Sequence, residues 1–186
     1  MPEYDPLYIA ARTVLLDAQE ALGSQREAVV VVGAQAVYMR TGDAGIAVAP
    51  YTTDADLALS PAQLADEPHL EELMRGGDFR QERGPGAWIK TVDVDGKEVD
   101  MPVDIMVPTG FAPAGGRRSV RLPPHDKMIA RKVIGLEGAV LDNDLMDVAT
   151  LDGSDPRRFT GQGRGTRRSR HRQDPQAPRP HRRGKP

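Results

Sequence analysis

The chain has 186 residues, no cysteine, and 25 Lys and Arg against 27 Asp and Glu. This length suits one domain with a real core, and the absence of cysteine excludes disulfides and thiolate metal sites. The opening MPEYDPLYIA lacks a basic segment followed by an apolar one, and no apolar run approaches membrane length, so a cytoplasmic protein without membrane association is expected.

The net charge of -2 is the sum of two unlike parts. Residues 157–186 hold 11 of the 25 bases and a single acid, Asp174, for a charge of +10; residues 1–156 hold 14 bases and 26 acids, for -12. The chain therefore divides into a domain over 1–156 and a basic, Arg- and Pro-rich tail over 157–186. From residue 161 onward there is no Leu, Ile, Val, Met or aromatic residue, so this tail is expected to be disordered and to bind polyanions by charge alone.

In chain order, Leu7, Ala10, Ala11, Val14, Leu15, Ala18 and Leu22 fall at helical spacing, and Gly23 can stop the helix. Ala28 to Val32 is a continuous apolar, β-branched run, as in a strand covered on both faces. Gly33 ends it, and Ala34 to Arg40 reads as a short helix. A loop over 41–53 leads to a strand from Asp54 to Leu59. Ser60 as N-cap and Pro61 in the first turn then predict a helix running to about Arg75. Two alternating segments, Ala87 to Val94 and Glu98 to Val107, flank Asp95-Gly96, a hairpin signal. Pro108 to Pro124 is a Pro- and Gly-rich loop containing Arg117, Arg118 and Arg121. His125 to Leu151 is mixed and yields no clear assignment.

The chemistry concentrates in three acids. Asp54 and Asp56 lie two apart on a strand and so project to one side, while Ala55, Leu57 and Leu59 project to the other. Asp104 stands alone among apolar residues in PVDIMVP, and a charge in such a setting calls for a partner or a metal. Carboxylates suit hard divalent cations such as Mg2+ or Mn2+, which complete their coordination with substrate phosphates. The turn at Gly33 and Ala34 opens a helix whose backbone N–H groups could receive phosphate oxygens, and Thr53 offers a hydroxyl nearby.

An apolar strand, a glycine turn, a short helix, Asp-x-Asp in TTDADLAL and a later lone Asp together resemble the nucleotidyltransferase superfamily that includes DNA polymerase β. Among its small bacterial members the chain looks most like the AbiEii-like toxins of toxin–antitoxin systems. The resemblance covers roughly residues 5–108. It implies an α/β fold with a mixed sheet flanked by helices, and transfer of a nucleoside monophosphate from a nucleoside triphosphate to an acceptor hydroxyl. Asp54, Asp56 and Asp104 would be the catalytic, metal-binding carboxylates, and Gly33, Ala34 and Thr53 would bind the nucleotide. In some toxin relatives the acceptor is tRNA, so tRNA or another RNA is the implied acceptor and an antitoxin protein the implied partner. Two departures stand out. Ala34 replaces the usual Ser or Gly, and the downstream Lys and acidic motif of the toxin-like relatives have only Lys127, Lys132 and the run Asp142 to Asp147 as candidates; Lys132 is assigned to the nucleotide. A one-base shift of suitably chosen codons from Gly163 onward would read as an amphipathic, Lys-bearing helix, so a frameshifted or truncated C-terminus is a second expectation. It carries an alternative function: a catalytically impaired remnant, or a module that binds nucleotide or a partner without turnover.

Overall fold

The structure, a computed structural model, describes residues 4–41, 52–153 and 155–164. Helix α1 (Pro6–Ala21) starts where expected: the Asp5 carboxylate accepts from the Leu7 N–H at 2.8 Å, and Pro6 occupies the first turn, where no donor is needed. A 3-10 turn, Gly23–Ala28, delivers the chain to β1 (Val29–Val32). Then come α2 (Gly33–Thr41), β2 (Ala55–Leu59), α3 (Leu70–Gly76), β3 (Arg80–Gln81), β4 (Ala87–Val94) and β5 (Lys97–Pro108). The third part of the chain supplies β6 (Arg131–Val133), α4 (Glu137–Leu141), β7 (Asn143–Ala149) and β8 (Arg158–Arg164).

All eight strands form one mixed sheet in the order β3-β4-β5-β2-β1-β8-β7, with β6 pairing the far half of β5. The fold is thus α/β, a mixed sheet flanked by helices, as expected. Every valine of β1 is buried because both faces of the strand are covered. Val29 and Val31 join Leu15, Leu57, Ile105 and Trp88 in the main core on the α1 face. Val30 and Val32 join Ala58, Met106 and Ala139 of α4 on the opposite face. At roughly 1.5–3 kcal/mol for each fully buried large aliphatic side chain, the α1 face supplies most of the drive to fold. Trp88 is a packing residue, 1% exposed, with its indole N–H near the Ile129 carbonyl at 3.4 Å.

Two expectations are corrected. The helix foreseen over 61–75 is split into a 3-10 turn, Pro61–Gln63, and α3 beginning only at Leu70. Pro68 is the reason: it lacks an N–H and pushes Glu67 away from helical geometry. Buried Gln25 serves the intervening backbone, donating to the Ala65 and Pro68 carbonyls at 2.9 and 3.0 Å and accepting from the Ala65 N–H at 3.0 Å. Ser60 makes no capping bond; instead His125, in the stretch the sequence leaves unassigned, is buried and accepts from the Leu70 N–H through Nδ1 at 3.3 Å.

The second correction concerns the tail. Residues 158–164 are a strand inside the sheet, parallel to β1 and antiparallel to β7 along its whole length. A boundary at 157 therefore cuts through the domain. Hydropathy could not reveal β8, because its ladder is made of backbone and its flat places are glycines. A side chain at Gly163 would meet the Met146 sulfur at 1.8 Å, and one at Gly161 would press on the Gln19 amide at 3.2 Å. Arg157, just before the strand, pairs with Asp17 and Glu20 of α1 and with Asp155. Residues 165–186, the rest of the expected disordered segment, lie outside the described residues.

Candidate functional site

The register of the sheet brings two of the three acids side by side. Asp56 of β2 and Asp104 of β5 are direct partners in the parallel pair, and Val32, the last residue of β1, stands opposite Asp56 on the other side. Because Ala58 and Met106 point to the α4 face, so do Asp56 and Asp104 two residues before them. Asp54, just ahead of β2, completes the cluster at the end of that face.

Gly33 lies directly beneath. Its φ of +69° is a left-handed conformation, and a Cβ there would fall 2.0 Å from the Asp56 Oδ2. Only glycine lets the β1–α2 turn approach the carboxylate so closely. Gly33→Ala should therefore cost about 1–3 kcal/mol in strain and displace the Asp56 side chain. Thermal melts will show the loss of stability, and a variant as stable as the wild type would mean the turn is not constrained in this way.

Charge in the cluster is unbalanced. Burial first, then the carboxylates of Asp54 and Asp104, push Asp56 up to about 6, while Arg131 pulls the other way. The Arg131 guanidinium donates to the Asp104 Oδ2 at 2.6 Å, and its Nε is buried without a hydrogen-bond partner. Gly86 holds β6, and so Arg131, in place. The Gly86 N–H donates to the Met128 carbonyl and its carbonyl accepts from Ile105, each at 2.8 Å, while a Cβ there would strike the Ile105 carbonyl at 2.2 Å.

Three expected assignments change. Lys132 does not reach the acids: one residue on from Arg131, it faces the other side of β6, and its ammonium is held by the Pro113 and Gly115 carbonyls at 3.2 and 2.5 Å. Arg131 is the cation at the site. Thr53 is exposed, whereas buried Thr52 places its hydroxyl on the Asp54 carboxylate. Strand parity was the signal for this, since 52, 54 and 56 alternate together. The acidic run 142–147 caps α4 with Asp142 and then enters the edge strand β7, separated from β2 by β8 and β1, with Asp147 accepting from Thr160 at 2.8 Å. It cannot stand in for a further acid beside Asp56. Gly33 and Ala34 do open α2 next to the cluster, as expected.

Among the described residues, no three His, Cys, Asp or Glu side chains are disposed to hold a metal ion as they stand. Asp104 leans onto Arg131 rather than toward a common point with Asp54 and Asp56. No helix of the described residues is long and apolar enough to cross a membrane. No family model, no curated protein and no solved structure matches this chain.

Proposed function

We propose that the chain is a metal-dependent nucleotidyltransferase of the small bacterial, polymerase β-like kind, moving a nucleoside monophosphate from a nucleoside triphosphate to an acceptor hydroxyl. The observation that carries this reading is the in-register pair Asp56 and Asp104 on neighbouring strands, with the Gly33 turn against Asp56. The donor chemistry suits Mg2+ or Mn2+, although the three carboxylates do not converge as they stand: they are hard oxygen donors with no sulfur or imidazole among them, and a hard cation would offset the cost of ionising Asp56, which burial first and then Asp54 and Asp104 raise. When bound, such an ion would neutralise charge on the transferring phosphoryl group.

The residues of the chain have separate tasks in this scheme. Asp54 and Asp56, with Asp104 beside them, would hold a divalent ion, and the Thr52 hydroxyl orients Asp54. The acceptor hydroxyl attacks the α-phosphorus, the bond to the bridging oxygen breaks, and pyrophosphate leaves; Asp104 receives the hydroxyl proton. Arg131, already donating to Asp104, is the cation of the cluster that could face negative charge developing on the phosphate. The N–H groups at the start of α2 receive phosphate oxygens. RNA, with tRNA foremost, is the acceptor this reading favours, and an antitoxin the protein partner.

A second reading, a module that binds nucleotide or a partner without turnover, is favoured by one observation: Asp104 is already satisfied by Arg131, and Lys132 is turned away. Incubation with each α-labelled nucleoside triphosphate, Mg2+ or Mn2+, and total tRNA separates the two. Transfer of label that EDTA and Asp56→Asn both abolish, by 100-fold or about that, is expected. Metal-dependent nucleotide binding without any labelled product would establish the second reading instead.

A further inference from the structure

Below the acids, on the α1 side, a buried polar chain runs from helix to helix to strand. Gln35 of α2 is 1% exposed and Arg12 of α1 is 5% exposed. The Arg12 Nε donates to the Gln35 Oε1 at 2.8 Å, and the Gln35 amide donates to the Asp54 carbonyl at 2.8 Å and the Ala11 carbonyl at 3.2 Å. Arg12 is itself held by the Tyr8 hydroxyl and by the Ala149 carbonyl at the end of β7, each at 3.3 Å. Every polar group of the Gln35 side chain is thus used.

The position of the Asp54 carbonyl explains why an amide is there. The β1–β2 ladder ends at the Val32–Asp56 pair and β2 itself begins at Ala55. The backbone of Asp54 lies beyond the ladder, and Gln35 replaces the missing strand with a side-chain donor. An apolar pair could fill the same space with no desolvation cost, but it would hold nothing.

We infer that Gln35, oriented by Arg12, is a positioning residue that fixes the backbone of Asp54 and so sets the spacing of its carboxylate from Asp56. The consequence for metal affinity rests on the nucleotidyltransferase reading; the consequence for the backbone does not. Gln35→Met and the double substitution Arg12→Met/Gln35→Met separate positioning from mere support of the fold. Gln35→Met alone leaves a buried guanidinium short of a partner and should melt well below the wild type, whereas the double substitution removes both polar groups and should recover most of that loss.

Hydrogen exchange of the peptide spanning 52–56 is the deciding measurement. It should be accelerated about tenfold in the double variant despite its recovered stability, while peptides from β5 exchange as in the wild type. Mn2+ titrated without nucleotide should bind the double variant about tenfold more weakly than the wild type. Exchange over 52–56 at the wild-type rate in the recovered double variant would overturn the inference. Failure of the wild type to bind Mn2+ would instead overturn the metal-site reading, and the exchange result would still decide the role of Gln35.

Discussion

A chain ending at residue 156 should lose its cooperative thermal transition, whereas one ending at 164 should keep it. β8 is flanked by β1 and β7, so without it the backbone of Val30 and Val31 loses a neighbour and β7 is cut from the sheet. Arg157, which ties Asp17 and Glu20 of α1 to Asp155, is lost too. Its cost is modest where the pair is solvated, but Asp17 is largely covered and would be left with Lys90 alone among these cations, at 2.8 Å. Removing a strand from inside the sheet costs several kcal/mol, comparable with the whole stability of a domain of this size. Far-ultraviolet circular dichroism against temperature will show it. A chain of residues 1–156 melting like the full protein would mean β8 contributes nothing to the fold.

The second large effect is electrostatic. Asp56 is raised in the folded protein from 3.8 to about 6, so its contribution to stability is fully present below about pH 4 and is lost as pH rises through 6, when the half-buried side chain must ionise away from bulk water and beside Asp54 and Asp104. At about 1.4 kcal/mol per pKa unit the move is worth up to about 3 kcal/mol, which solvent access to the cluster reduces to about 1–2 kcal/mol. Asp56→Asn should therefore be more stable than the wild type by about that amount above pH 6, and the difference should vanish near pH 4. At pH 7.5, Mg2+ at tenfold its dissociation constant should stabilise the wild type by about 1.4 kcal/mol and leave Asp56→Asn unmoved. Denaturant unfolding from pH 4 to 8, with and without Mg2+, measures both. Parallel pH profiles for the two proteins would show that neither burial nor the neighbouring acids raise Asp56.

These expectations trace back unevenly to the sequence. Asp54, Asp56 and Asp104 were legible because the parity of a strand and the rarity of an acid in an apolar run are local facts. The 87–107 hairpin was legible for the same reason, through Asp95-Gly96. Thr52 was open to the same parity argument as the acids, yet Thr53 drew the assignment by adjacency. Arg131 was hidden more deeply: β6 is three residues long and follows a Pro-rich loop, so nothing in the sequence says which of Arg131 and Lys132 faces Asp104. That depends on pairing with Met106 across 25 residues of chain. β8 was hidden because glycine, which reads as a breaker of strands, is what lets Met146 lie across it. Gln35, a lone amide in an otherwise apolar stretch after Gly33, was visible as an oddity, but its partner carbonyl could not be known before the end of the β1–β2 ladder was.

Under the proposed function, Asp54, Asp56 and Asp104 act together on a divalent cation and a nucleotide. Electron paramagnetic resonance of Mn2+, titrated into the full chain with and without a nucleoside triphosphate, tests it most directly. Saturable loss of the free-ion signal is expected, tighter when nucleotide is present, with loss of that binding in Asp56→Asn and Asp104→Asn while both variants remain folded. Binding unchanged by either substitution, or no binding by the wild type with any nucleoside triphosphate, would contradict it.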